Sequence, residues 1–149
     1  MSVDKIGSGL LFTSGQEVLL LLRNSKHNDK TWGLPGGNQE RGDLTLFDTA
    51  QREAREEMGE LPSNFRVSRE QKVVRGKRNE KHYTVFVCSV DPSVRNEYVP
   101  KLNHEHSDWK WVHTKHLKTL ELHPVVDKFF ENGQSEVVLR EAEAVLCCS

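Results

Sequence analysis

The run Glu17-Val18-Leu19-Leu20-Leu21-Leu22 constrains the fold more than any other stretch of the chain. Successive side chains of a strand point to opposite faces, so a strand over 18–22 is apolar on both and has to be covered on two sides. It predicts a central strand. A shorter apolar run, Gly9-Leu10-Leu11-Phe12, lies upstream across Thr13-Ser14-Gly15-Gln16, and a short glycine-containing loop between two apolar runs predicts a hairpin. From 82 to 90 the pattern alternates, with Thr84, Phe86, Cys88 and Val90 on one face and Tyr83, Val85 and Val87 on the other, until Pro92 ends it. Residues 65–75 predict a weaker strand, and Trp109-Lys110-Trp111-Val112-His113 alternates like another.

Between these strands the period changes. Phe47, Ala50, Ala54 and Met58 recur at spacings of 3 and 4, which predicts a helix from Thr45 to Met58. Gly59 is expected to serve as its left-handed C-cap, and Pro62 blocks continuation. Helical patches at 114–120, 124–132 and 137–146 finish the chain. Residues 23–30, the turn-rich Trp32-Gly33-Leu34-Pro35-Gly36-Gly37 with its continuation through Asp43, and 92–100 read as connections.

Composition narrows the function classes. With 149 residues and no repeat or linker, the chain is expected to form a single domain over 1–149. The 22 acidic against 21 basic residues give a net charge of −1, which argues against a nucleic-acid glove or a polybasic membrane binder. The apolar runs fall far short of the ~20 residues that cross a bilayer. Met1-Ser2-Val3-Asp4-Lys5 lacks the hydrophobic segment of a secretory leader. Cys88 sits inside an apolar run, and the adjacent Cys147-Cys148 cannot clip distant segments together. These features predict a reduced, cytoplasmic setting. The end Cys147-Cys148-Ser149 does not form a prenylation sequence, because no cysteine is fourth from the end.

The chemistry is concentrated in Arg52-Glu53-Ala54-Arg55-Glu56-Glu57-Met58-Gly59. On a helix Glu53, Glu56 and Glu57 stand at i, i+3 and i+4, so three like charges project within a few ångströms of one another. A charged stripe of this kind is usually a solvated face. Placed after a glycine-rich turn, where the backbone can approach a ligand closely, it also suits a hard divalent cation such as Mg²⁺ or Mn²⁺. Arg52 is spaced to orient or neutralise Glu53 and Glu56.

Gly36-Gly37, Asp43 and Arg52 to Gly59 together resemble the Nudix box, the loop–helix–loop signature of hydrolases that cleave nucleoside diphosphates linked to another group. The box covers Gly37 to Glu60, and the Trp-Gly-Leu-Pro lead-in and the strand layout are also similar to that family. The chain departs from the pattern at three points. Asp43 stands where the family has Glu, eight residues (Leu44 to Gln51) precede Arg52 where the family has seven, and Glu60 fills the final apolar position. The extra residue is expected to be absorbed in the loop or first helical turn, and the shorter Asp43 to reach less well towards Arg52.

The resemblance implies an α/β fold, an α/β/α sandwich with a central mixed sheet, and Mg²⁺-dependent hydrolysis of a pyrophosphate bond by water. It implies metal ligation by Gly37, Glu53, Glu56 and Glu57, with Arg52 assisting, and a general base that is Glu53 or Glu56 in the helix or Glu105 outside it. His104 and His106 flank Glu105 but lack a third zinc ligand; both read as surface-loop histidines. For substrate binding the candidates are Trp32 and Tyr83 as stacking rings, with Trp109 and Trp111 as further aromatics that could stack a base, and Arg75, Lys77, Arg78 and Lys81 as partners for additional phosphates, although strand aromatics usually pack in cores and a basic hairpin tip is usually solvated. The expected substrate is a small nucleotide, foremost a nucleoside triphosphate. An RNA 5′ end, the only nucleic-acid partner expected, a dinucleoside polyphosphate or an inositol pyrophosphate are the alternatives, as is a non-catalytic nucleotide sensor. No membrane partner is expected, and the chain is read as a monomer or homodimer.

Overall fold

The computed structural model describes residues 3–147; Cys148 and Ser149, the end of the terminal cysteine pair, lie outside them. The expected hairpin forms between β1 (Lys5–Ser14) and β2 (Glu17–Arg23), and Gly15 in its turn adopts a positive φ of 59°. The two strands pair only at Thr13–Ser14 against Val18–Glu17 and then part. Into the gap come β3 (Trp32–Gly33), paired with Leu21–Leu22 of β2, and β4 (Gly36–Asn38), paired with Gly7–Gly9 of β1. Both strands lie in the segment read as a connection. Two or three residues rich in glycine carry no side-chain alternation, so periodicity has nothing to detect there.

The other edge of β1 runs parallel to β6 (Lys81–Ser89), which pairs antiparallel with β5 (Arg66–Arg75). Along β2 runs β7 (His106–His113), antiparallel, with a bulge between Leu22 and Arg23. The result is a mixed sheet of seven strands. Its helices are α1 (Leu46–Met58), α2 (Pro92–Glu97), α3 (Pro124–Phe130) and α4 (Ser135–Cys147), with a 3₁₀ turn at Thr114–Thr119. The short α2 replaces part of the expected loop at 92–100. Asp91 caps it by accepting from Ser93 N–H, and Pro92 occupies its first turn, a strong start signal that apolar periodicity overlooks.

Strand alternation divides the core in two. Leu10, Phe12, Leu19, Leu21, Phe86 and Cys88 point to one face and pack with Ala50, Ala54 and Met58 of α1. On the other face Leu11, Val18, Leu20, Val85 and Val87 pack with Val125, Val126 and Phe129 of α3 and Val138, Leu139 and Ala142 of α4. The run at 18–22 is therefore covered on both sides, and the molecule is an α/β/α sandwich. A forked ion pair from Arg69 Nε and Nη2 to Glu141, at 2.7 and 3.1 Å, fastens α4 to β5. Gly59 caps α1 as expected, but at φ 75° and ψ −136° rather than in the left-handed helical region.

Candidate active site

The loop before α1 is built around Asp43. Its Oδ2 accepts from the Glu40 N–H at 2.8 Å and the Thr49 hydroxyl at 2.9 Å, while Thr45 caps the helix by accepting from Asp48 N–H at 3.1 Å. Leu44, between them, is 90% exposed, so the loop absorbs the extra residue and turns its side chain into water. Arg52 then meets Asp43 as a fork, Nε to Oδ1 and Nη2 to Oδ2, both at 2.9 Å. This corrects the expectation of a poor reach: the loop carries Asp43 to the helix surface, where a short acid suffices. The pair holds the Asp43 carboxyl well below the usual carboxylate range and raises the guanidinium further. Arg52 Nη1 also donates to Glu53 at 3.0 Å and Glu56 at 3.4 Å, and Nη2 to the Asn38 carbonyl at 3.2 Å.

The three glutamates take different environments. Glu56 is exposed, Glu53 is half-buried, and Glu57 is 1% exposed. Among the described residues no three His, Cys, Asp or Glu side chains converge closely enough to hold a metal ion as they stand. Glu57 turns inward: its Oε2 accepts from Gly36 N–H at 3.2 Å, and its Oε1 lies 3.4 Å from His106 Nδ1. Burial first, then the charges of Glu105 and Glu53, push its carboxyl up to about 9. Burial likewise raises Glu53, with Arg52 opposing and Glu56 and Glu105 adding to the shift. Gly37 fits closely here, because a Cβ at that position would fall on the Glu53 carboxyl. Hard carboxylate oxygens, mutually repelling and pressed against bare backbone, fit a divalent cation.

Glu105 is brought to this cluster by backbone hydrogen bonds. Lys101 N–H donates to the Met58 carbonyl at 2.7 Å, Asn103 N–H to Glu57 at 3.2 Å, and Asn24 N–H to the Glu105 carbonyl at 2.8 Å. The loop is thus tied to the end of α1 and the end of β2. His104 is exposed, but His106 is buried at 3% exposure, so the two do not form the expected surface pair. His106 opens β7, and strand alternation turns its ring inward.

A cleft of about 490 Å³ joins Gly36, Gly37, Glu53 and Glu105 to Lys5, Arg23, Arg75, Lys81, Tyr83 and His123. Arg75 has no side-chain hydrogen bond or ion pair among the described residues; its Nε is buried without a partner, and burial lowers its pKa. The Tyr83 hydroxyl sits where a Cβ of Gly9 or Gly36 would be, so those glycines make room for it. Lys77 and Arg78 are exposed in the β5–β6 turn and do not line the cleft. Neither does Trp32, which packs on the core beneath α3 and α4 with Lys110 Nζ 4.5 Å from its ring centroid. The sequence reading overlooked Lys5, Arg23 and His123. His123 Nδ1 caps α3 by accepting from Val125 N–H at 3.1 Å, and burial lowers the ring to about 4. Its place just before Pro124 was the available signal, a capping residue followed by a first-turn proline.

Comparison with known proteins completes the picture. The NUDIX domain profile matches residues 5–133. An Ap4A hydrolase from C. elegans, solved as a binary complex, superposes with a TM-score of 0.68 at 20% identity, over 97% of this chain and 99% of that one. A MutT protein from Methanosarcina mazei Go1 gives 0.64 at 27% identity, over 91% and 96%. The Nudix domain of Shewanella oneidensis NrtR, crystallised with ADP ribose, gives 0.64 at 18%, over 98% and 90%. No curated protein sequence matches the chain significantly.

Proposed function

The chain belongs to the Nudix hydrolase family and is a pyrophosphohydrolase, and from that premise we propose that it hydrolyses a nucleoside triphosphate in a Mg²⁺-dependent reaction. The observation that carries this reading is the charge division of the cleft. Carboxylates and bare glycine backbone lie in the same cavity as Arg23, Arg75, Lys5 and Lys81, an arrangement for a polyanion accompanied by a cation.

Glu53, Glu56, Glu57 and the Gly37 carbonyl would hold the divalent cation, for which Mn²⁺ is a chemical substitute. Such an ion neutralises phosphate charge and makes water a better nucleophile. Arg52, fixed by Asp43, orients Glu53 and Glu56. The carboxylates do not surround a common point as they stand, so holding the cation would require them to converge. Water attacks one phosphorus, the bridging P–O bond breaks, and the departing phosphate keeps the bonding electrons. The proton from water passes to a carboxylate, Glu53 or Glu56 on α1 or Glu105 on its tethered loop. Arg75 and Lys81 receive phosphate oxygens, and Tyr83 shapes the floor beside Gly36. Lys77, Arg78 and Trp32, outside the cleft, are assigned no contact with a small nucleotide.

A substrate panel tests this reading. Nucleoside triphosphates, triphosphorylated RNA, dinucleoside polyphosphates, inositol pyrophosphates and nucleotide sugars are incubated with and without Mg²⁺, and pyrophosphate and phosphate release are measured. The expected result is metal-dependent release of pyrophosphate, with the highest kcat/KM on a nucleoside triphosphate. Preference for another member of the panel would replace the substrate assignment, and turnover unaffected by chelator would overturn the metal site.

A further inference from the structure

His106 has a feature that the cleft and the box leave unexplained. Its side chain is 0% exposed, and neither ring nitrogen has a hydrogen-bond partner. Buried polar groups are nearly always paired, so an imidazole orphaned at both nitrogens calls for a physical reason. Nδ1 lies 3.4 Å from Glu57 Oε1, whose sister oxygen already accepts the Gly36 N–H at 3.2 Å. A neutral imidazole carries a single N–H, on one nitrogen or the other. A proton on Nδ1 would face a carboxylate oxygen and leave Nε2 a bare acceptor. A proton on Nε2 would leave a buried donor unpaired, the rarer and costlier arrangement.

We propose that His106 is a positioning residue for Glu57 in the cation-bound protein, where Glu57 is an ionised carboxylate: the 3.4 Å contact, which is not itself a hydrogen bond, closes so that a ring proton on Nδ1 is donated to Glu57 Oε1, clamping the carboxylate between His106 and the Gly36 amide. Each oxygen keeps a further lone pair for a divalent cation. The loop that carries His106 is bonded to the backbone of Glu57 itself through Asn103, so clamp and clamped side chain move together. The proposal rests on the reading of Glu57 as a cation ligand. Outer-shell partners of this kind typically account for about 10–100-fold in metal affinity.

The test uses the whole chain. Calorimetric titration with Mg²⁺ alone, without nucleotide, compares wild type, His106→Leu, which removes the donor, and His106→Asn, whose amide restores one. We expect His106→Leu to weaken Mg²⁺ binding by about 10-fold or more and His106→Asn to recover most of the loss. Nitrogen-15 NMR of the histidine rings in Mg²⁺-saturated wild type is expected to show His106 protonated at Nδ1, and the change in its ring signals on Mg²⁺ addition is expected to be lost in Glu57→Gln. This measurement decides the matter even if His106→Leu fails to fold. Equal Mg²⁺ affinity in wild type and a folded His106→Leu, or a ring proton on Nε2 with Mg²⁺ present, would overturn the proposal alone. A wild-type protein that binds no Mg²⁺ would overturn the metal-site reading and this proposal with it.

Discussion

At Glu57 burial and charge are hardest to reconcile, and the conflict has a measurable sign. A carboxyl whose folded-state value is about 9, against an ordinary 4.5, keeps its proton when folded and gives it up when unfolded. Its contribution to stability is complete below about 4.5 and is lost as pH rises towards 9. In chelator, the melting temperature of the wild type is expected to fall between pH 5 and pH 9, while Glu57→Gln, neutral at every pH, follows a flatter curve. Adding Mg²⁺ at pH 8 should raise the wild-type melting temperature and leave that of Glu57→Gln nearly unmoved. A wild-type curve as flat as the variant's would show that Glu57 is already ionised and solvated.

The other two roles on offer, ligand and base, separate by metal rescue. Glu56→Gln is expected to lower kcat by about two orders of magnitude or more, with part of the rate returning at high Mg²⁺. Glu105→Gln is expected to lose less, with no rescue by metal and a changed pH–rate profile. Unchanged kinetics in Glu105→Gln would return the base to α1. These side chains were legible in the sequence as a group, because helical spacing brings i, i+3 and i+4 to one side. Their divergence was not legible: Glu56 and Glu57 are adjacent in sequence and therefore about a quarter turn apart around α1, and only the sheet beneath decides which of them is buried.

Among the elements, α1 shows how a loop of unusual length is accommodated. Thr45 caps the helix, Thr49 bonds back to Asp43, and Leu44 is left in water. Thr45→Ala is expected to cost about 1 kcal/mol of stability, read by chemical denaturation, whereas Leu44→Ser should stay within about 0.5 kcal/mol of wild type. A comparable loss at Leu44 would mean that its side chain is covered in solution. Elements defined by side-chain pattern could be read from the sequence, including both faces of β6 and the apolar stripe of α1. Elements defined by backbone were overlooked. β3 and β4 are held by the divergence of β1 and β2, and that divergence depends on which strands pair across long separations.

In the whole molecule, the central sheet separates two sets of buried side chains that face opposite ways. Leu139 belongs to the set under α3 and α4, and Met58 to the set under α1 that carries the box. Each substitution to Ala is expected to cost about 2–5 kcal/mol. Because the two share no buried neighbours, the double variant should equal the sum of the singles within about 0.5 kcal/mol. A larger coupling would reveal strain passing through the sheet. The alternation that buries β2 on both faces thus divides the protein into two territories for change. Residues under α4 that stay clear of the cleft, Leu139 among them, can be repacked for thermal resilience, while the box helix and the cleft-lining Leu34 and Val125 on the far face answer to the substrate.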